Sequence, residues 1–316
     1  MEKIKVGVVG VGYLGQHHAR VYSELPGAEL VGICDTDMAR ASDIARKTGT
    51  TAYKDFEGLL GRVQAVSIAV PTSEHHRIAK AFLGADADVM VEKPVTVTVE
   101  EAEDLVREAD EKGRIFQVGH LERFNSAVRK MVEMATTPRF IECNRLSPFP
   151  DRGTDVDVVL DLMIHDIDII LSLVRSQVRY IHAVGIPVIS KNVDIASARM
   201  EFDSGCVANI TASRISLKKE RKIRLFQPDT YISLDYQSQE MYAYHKVPGK
   251  DGPSGRPEIV GGKVKVKKDE PLRAELEAFL SSVADRGRPL VSGVEGMEAL
   301  KVAYLVQREI MSRGVV

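Results

Sequence analysis

The tightest constraint on this chain lies in its first 35 residues. IKVGVVG (4–10) is an aliphatic strand, and it runs straight into VGVGYLG, where Gly10, Gly12 and Gly15 have the spacing GxGxxG. YLGQHHARVYSEL (13–25) reads as the helix that follows. Each glycine has its own task in such a strand–turn–helix unit. Gly10 permits the tight turn, Gly12 lets a pyrophosphate approach the backbone, and Gly15 allows the helix to pack close to the strand. The helix N-terminus then stabilises the phosphate charge. Tyr13 and Leu14, inside the turn, complete this set of cofactor positions. Asp35 ends the second strand, ELVGICD (29–35), twenty residues on from Gly15. A carboxylate there accepts hydrogen bonds from an adenosine ribose and repels a 2′-phosphate, which favours NAD over NADP.

The rest of the first third keeps the same alternation. Aliphatic strands at 63–70, 88–92 and 114–119 are separated by helices at 38–49, at SEHHRIAKAFLGA and at 98–113. The last of these helices carries Thr98 as N-cap, Glu101 three residues later and Gly113 as its stop. Alternating βα units with wholly aliphatic strands predict a parallel sheet covered on both faces.

Beyond residue 122 the pattern changes to one helix, a Pro/Gly/Asp-rich loop (147–157), a long helix and then successive strands from 177 to 268. The segment 246–263 has the composition of a mobile hairpin or loop. Two helices close the chain. A length of 316 residues suits two domains. The fold class is therefore α/β: a Rossmann domain over 1–121, and over 122–316 an α+β domain on an open, mostly antiparallel sheet. That second domain is the place for substrate binding and oligomer contacts, and the closing helices are free to pack back on the first.

The formal net charge of −2 gives no basic field for nucleic acid or an anionic membrane. No run of about 18 uncharged apolar residues suggests a membrane span. The N-terminus lacks the ordered regions of a signal peptide. Cys34, Cys143 and Cys206 are far apart, with no CxxC or Cys/His metal spacing. A reduced, cytoplasmic protein is expected.

Two further stretches carry chemistry. VEKP places Glu92, Lys93 and Pro94 at the end of the strand 88–92, where open α/β sheets bind ligands. DLMIHDID (161–168) puts Asp161, His165, Asp166 and Asp168 within an otherwise aliphatic helix. On a regular helix Asp161 and His165 lie about 40° apart, and Asp168 within roughly 20° of Asp161. This narrow polar strip is either an ordinary solvated face or the lining of a crevice. A metal reading lacks a third ligand with motif spacing, and no metal is expected. In VPTSEHH, one of His75 and His76 could face the crevice and the other solvent.

Taken in order, the GxGxxG turn, VPTSEH, EKP, VGHLERF (118–124) and DLMIHDID resemble the Gfo/Idh/MocA family of NAD(P)-dependent sugar dehydrogenases. The resemblance spans essentially the whole chain. It implies a Rossmann domain followed by an α/β domain whose open sheet serves in a homodimer or homotetramer. It assigns Gly10, Gly12, Gly15, Asp35, Thr72, His75, Glu92 and Lys93 to the cofactor, although Val70 and Thr72 depart from the usual Thr and Asn. Lys93, Asp161 and His165 match the catalytic positions. GTDVDVV stands where the family often has a glycine triplet, which alters the substrate loop.

VGHLERFN, RLSPFPDRGTDVD and the stretch from Thr211 to Tyr236 resemble a subgroup acting on UDP-N-acetylglucosamine, oxidised at its 3-hydroxyl in an amino-sugar branch of lipid A synthesis. His120, Arg123 and Arg152, with Asp161 and His165, are then the substrate-binding residues. Arg145, Arg152, Arg214, Lys218 and Lys219 are candidate cations for a sugar-nucleotide pyrophosphate. A free cyclitol or monosaccharide dehydrogenase and a non-catalytic NAD-binding sensor are the rival readings.

Overall fold

The computed structural model describes residues 2–149, 156–249, 256–312 and 314. Two compact units emerge. The first comprises Met1–Phe124 together with Glu270–Glu298, the second Asn125–Asp269 together with Ala299–Val316.

In the first unit, six parallel strands form one sheet: β1 (Ile4–Val9), β2 (Ala28–Cys34), β3 (Thr51–Tyr53), β4 (Ala65–Ile68), β5 (Asp88–Glu92) and β6 (Phe116–Gly119). Their order is β3-β2-β1-β4-β5-β6. The order reverses between β1 and β4, and a crevice opens at the carboxyl ends of strands on either side of such a switch. The helices are α1 (Gly15–Glu24), α2 (Met38–Thr48), α3 (His75–Gly84) and α4 (Val99–Glu111). Local chemistry sets their ends. Asp37 caps α2 by accepting the N–H groups of Ala39 and Arg40, both at 3.1 Å, and Gly49 closes it at φ 68°. Thr98 and Glu101 form the capping box expected for α4. The short β3 is absent from the sequence reading, because three residues are too few to show a period.

The first unit also recruits chain from far downstream. In α7 (Pro271–Asp285), Leu276 and Phe279 are fully buried in one core with Val6, Val8 and Ile33. Each such side chain contributes about 1.5–3 kcal/mol. Residues 270–298, assigned by sequence to the second domain, thus complete the first.

The second unit holds an eight-stranded sheet. Its strands are β7 (Phe140–Leu146), β8 (Val178–Ile186), β9 (Ile195–Phe202), β10 (Val207–Ser213), β11 (Glu220–Gln227), β12 (Thr230–Asp235), β13 (Glu240–Val247) and β14 (Glu258–Val264). The order is β14-β13-β12-β11-β7-β10-β9-β8, with β7 and β10 parallel and all other neighbours antiparallel. Alternate residues of β7 and β9 are buried, as a sheet with one covered face requires. Over that face lie α5 (Ser126–Met134), which packs on β12, and α6 (Ile164–Val174), which packs on β7. The helix α8 (Gly293–Ser312) ends the chain. The segment 246–263 is the pairing of β13 with β14, Val247 opposite Glu258, and its tip at 250–255 lies outside the described residues. Among the described residues no helix is long and apolar enough to cross a membrane.

Candidate active site

The glycine turn follows β1 directly. Gly10 has φ 82°, and a Cβ on it would lie 2.5 Å from the Ala69 carbonyl oxygen. A Cβ on Gly15 would lie 1.8 Å from the Gly10 carbonyl oxygen, so the helix start is pressed against the turn. Gly12 differs: the nearest atom to its missing Cβ is an Arg40 guanidinium nitrogen at 3.6 Å. Its side faces open space, which suits the approach of a ligand. The Gly12, Tyr13 and Leu14 N–H groups find no acceptor among the described residues, and α1 begins with no side-chain cap and no acidic residue. Unfilled donors at a helix N-terminus attract an anion. The side chains of Tyr13 and Leu14 are exposed, so their contribution is through the backbone.

Asp35 stands at the end of β2. Its Oδ2 accepts the Val11 N–H at 2.9 Å and its Oδ1 the Asp37 N–H at 2.9 Å. The carboxylate thereby fixes the glycine turn to the neighbouring strand end. Beside it lies Arg40, with Nη1 3.8 Å from Oδ2, a cation that belongs to no motif and was not among the candidate residues. Gly10, Gly12, Asp35 and Arg40 line one cleft of about 670 Å³, together with Glu74 and Arg77. Arg77 lies over the Phe56 ring at 5.0 Å. That volume is within the range of cofactor sites, about 300–1,000 Å³. Glycine cradle, free N–H groups and an anionic strand end therefore fit a dinucleotide. Cys34 also lines the cleft, but burial pushes its thiol up to about 12, which removes it as a nucleophile.

At the end of β5, Glu92 is mostly buried, with Oε1 3.0 Å from His18 Nε2. Lys93 follows, joined to Pro94 by a cis peptide. The expectation for the two histidines needs correction, since neither shows the crevice-and-solvent division. His75 is buried, its Nδ1 2.9 Å from the Pro94 carbonyl oxygen and its Nε2 3.0 Å from that of Val70. The ring braces the strand ends of β4 and β5 against each other. Burial lowers its pKa, against the opposing pull of both carbonyls. His76 is half-buried, and its Nε2 meets Asp104 Oδ2 of α4 at 2.8 Å. Thr72 opens the 3-10 turn Thr72–Glu74, half-buried. His120 is buried, as is Arg123 in the turn Leu121–Phe124 that packs on α7.

The second unit carries the other constellation. Val159–Met163 is a π-helical turn leading into α6, so Asp161 does not sit on the regular helix assumed for the 40° spacing. Such turns recur at functional sites. Asp157 anchors this one: its Oδ1 accepts the N–H groups of Val159 and Leu160 at 2.9 and 3.0 Å, and Oδ2 accepts a bond from Gln307 on α8. Asp161 and His165 are half-buried, whereas Asp168 is buried. The strip therefore shortens to two partly accessible groups.

Asp166, for which the sequence offered no role, makes a bidentate pair with Arg145, Nε to Oδ2 at 2.8 Å and Nη2 to Oδ1 at 2.9 Å. Both side chains are buried. Arg214 is fully buried as well, with Nε 2.9 Å from Asp194 Oδ1 and Nη1 2.7 Å from the Val156 carbonyl. These two arginines are structural cations already matched by carboxylates, not the pyrophosphate ligands expected of them. Lys218 and Lys219 are exposed, and Arg152 lies outside the described residues.

Comparison with known proteins gives two family matches. Residues 4–120 match an oxidoreductase family with an NAD-binding Rossmann fold, and residues 132–230 match the GFO/IDH/MocA C-terminal domain. The chain is 34% identical over 308 residues to UDP-N-acetylglucosamine 3-dehydrogenase of Acidithiobacillus ferrooxidans, covering 97% of each. A solved structure of that enzyme superposes with a TM-score of 0.91, covering 99% of both chains at 33% identity. The scyllo-inositol 2-dehydrogenase (NAD(+)) of Bacillus subtilis is 29% identical over 239 residues, 68% of each chain. At 17% identity and a TM-score of 0.79, myo-inositol 2-dehydrogenase of Lactobacillus plantarum shares the fold, covering 98% of this chain and 97% of that one.

Proposed function

Because this chain belongs to the GFO/IDH/MocA oxidoreductase family, we propose that it oxidises the 3-hydroxyl of UDP-N-acetylglucosamine to the 3-keto sugar with NAD as acceptor. The observation that carries the substrate is the 34% identity to the Acidithiobacillus enzyme over 97% of both chains; the inositol dehydrogenase of Bacillus subtilis matches over only 68%. NAD is favoured over NADP because the Asp35 carboxylate stands at the strand end where a 2′-phosphate would sit.

The cofactor, when bound, supplies the hydride acceptor. The chain supplies the rest. The N–H groups at the start of α1 hold the pyrophosphate, and Asp35 holds the ribose. His165 takes the hydroxyl proton, since imidazole titrates near neutrality, at about 6.5 unperturbed. Lys93 holds the hydroxyl and stabilises negative charge as it develops on the oxygen. Asp161 orients His165 or a neighbouring hydroxyl. The enzyme works in the cytoplasm, in an amino-sugar branch of lipid A synthesis. It assembles as a homodimer or homotetramer through the free face of its eight-stranded sheet, where Phe140, Phe226, Tyr231 and Tyr244 form a ladder with neighbouring centroids 4.9–6.2 Å apart.

Incubation with NAD and UDP-N-acetylglucosamine, with a carbonyl trap and mass spectrometry, tests the reaction. The trap's adduct of a ketone two hydrogens lighter than the substrate is expected. Turnover of a free cyclitol or monosaccharide with no binding of UDP would replace the nucleotide-sugar reading. Absence of any NADH signal across a broad sugar panel would leave only a sensor.

A further inference from the structure

The chain enters the helix of Asp161 and His165 through Val156, Asp157 and Val158, and each of these is held by a distant part of the second unit. The Val156 carbonyl accepts a bond from Arg214 Nη1 at 2.7 Å, and Arg214 is itself fixed by Asp194. The Val158 N–H donates to the Val193 carbonyl at 3.0 Å. Between them the Asp157 side chain works in two directions. Its Oδ1 takes up the N–H groups of Val159 and Leu160 at 2.9 and 3.0 Å, two of the donors that a helix start leaves unfilled. Its Oδ2 accepts from Gln307 Nε2, 150 residues away on α8. Gln307 belongs to the same unit as Asp157.

The hydrogen-bond register changes immediately beyond these contacts. The Asp161 N–H donates to the Asp157 carbonyl at 3.0 Å, four residues back, as in a regular helix. The Ile164 N–H donates to the Val159 carbonyl, five residues back. Five-residue steps are rare and occur mostly as single turns. Such a step rotates the residues before it by up to about 100° relative to those after it, one residue's share of a helical turn. Asp161 lies within the step and His165 just beyond it. Whatever fixes the register therefore fixes where Asp161 stands relative to His165.

We propose that Asp157, braced by Gln307, is a positioning residue for the dehydrogenation: it holds the π register and so sets Asp161 and His165 in the arrangement that proton transfer requires. This rests on the reading of His165 as the base with Asp161 as its orienting partner. The Asp157 side chain is committed to Val159, Leu160 and Gln307, so it acts on the reaction through the backbone.

The test is steady-state kinetics of the full chain with NAD and UDP-N-acetylglucosamine, the sugar also deuterated at C3, for wild type, Asp157→Ala, Asp157→Asn and Gln307→Leu. Misplacing a reacting group by about 1 Å costs on the order of a hundredfold in rate, so Asp157→Ala should lose about tenfold to a hundredfold in kcat. Its KM for NAD should hold, and its deuterium isotope effect on kcat should rise as the chemical step slows relative to product release. Asp157→Asn keeps an oxygen for the Val159 and Leu160 N–H groups and should recover most of the loss. Gln307→Leu spares the cap but breaks the brace, and its kcat should fall between those of the two Asp157 variants. Amide hydrogen exchange over residues 158–166 gives a readout independent of turnover, and it should be faster than wild type in Asp157→Ala and in Gln307→Leu. Should Asp157→Ala fail to fold, Gln307→Leu serves for both measurements. Unchanged exchange in the variants would overturn the hold on the register. A lower melting temperature with wild-type kcat and isotope effect would reduce Asp157 to a structural cap and overturn the positioning role. His165→Ala separates the two readings: wild-type turnover in that variant sinks the role given to His165 while leaving the exchange result intact.

Discussion

Arg145 and Asp166 pair through two parallel hydrogen bonds, 2.8 and 2.9 Å, joining β7 to α6 inside the second unit. The Arg145 guanidinium also lies over the Tyr236 ring at 5.3 Å. Asp166 is the residue after His165, so the pair fixes the rotation of the helix that carries the proposed base. Breaking a buried pair from one side leaves a stranded charge, at a cost of about 3–5 kcal/mol. Arg145→Met should therefore lower the urea midpoint strongly, and Arg145→Met with Asp166→Leu should recover most of the loss. Equal stabilities of the single and double variants would show that the charge pairing is immaterial.

Gly12 and Gly15 should separate binding from folding. At Gly15 a methyl group would meet the Gly10 carbonyl at 1.8 Å, so Gly15→Ala should melt several degrees lower, with expression reduced. At Gly12 a methyl group has space, so Gly12→Ala should melt within a degree or two of wild type while NAD affinity falls at least about tenfold. Melting curves and calorimetry with NAD check both. Tight NAD binding by Gly12→Ala would move the pyrophosphate away from this turn.

Cofactor preference should turn on Asp35 and Arg40. Wild type should favour NAD over NADP in kcat/KM, and Asp35→Asn, which removes the charge but keeps an acceptor for the Val11 N–H, should narrow the ratio by about tenfold or more. Adding Arg40→Ala should reduce NADP use in that background, since Arg40 is the cation beside the carboxylate. A wild-type preference for NADP would overturn the assignment.

His75 should make stability depend on pH. Burial depresses its pKa, so the folded state holds the ring neutral while the unfolded chain protonates it near 6.5. Its contribution is fully present above about pH 6.5 and is lost as pH falls from there toward the depressed folded value. Urea unfolding at pH 8 and pH 5 should show a larger drop for wild type than for His75→Gln. Identical pH dependence in the two proteins would mean that the ring is not held neutral.

Glu275 of α7 is fully buried, with neither carboxyl oxygen hydrogen-bonded among the described residues, and it carries the opposite sign. Its raised pKa makes the protonated fold most favoured below about pH 4.5, with stability lost as pH rises through the folded value. Glu275→Gln removes that loss, so its melting temperature should exceed that of wild type above pH 4.5, increasingly so at alkaline pH. A variant less stable than wild type at pH 8 would contradict the burial of an unpartnered acid.

Local signals in the chain were good guides to local structure. The glycine turn, the Thr98–Glu101 cap and the aliphatic strands each declare themselves within a few residues, because turn sterics, capping and burial act over that range. Partnerships across the sequence were not legible. Arg145 and Arg214 looked like free cations because Asp166 and Asp194 are each about twenty residues away, with nothing local to announce the pairing. The π turn at Asp161 is a change of hydrogen-bond register that hydrophobic periodicity does not encode. His18 and Glu92 meet at 3.0 Å from positions 74 residues apart.

The core that joins Val6 to Leu276 and Phe279 has a temporal consequence. A ribosome that has made the whole six-stranded sheet has not yet made the helix covering part of it. Some 150 further residues must emerge first, about eight to thirty seconds at ordinary elongation rates. Throughout that interval the nascent sheet shows water, and any neighbouring chain, an apolar surface destined for α7. The moment of greatest aggregation risk in the life of this protein thus comes midway through its own synthesis, and a holding chaperone would find its target there.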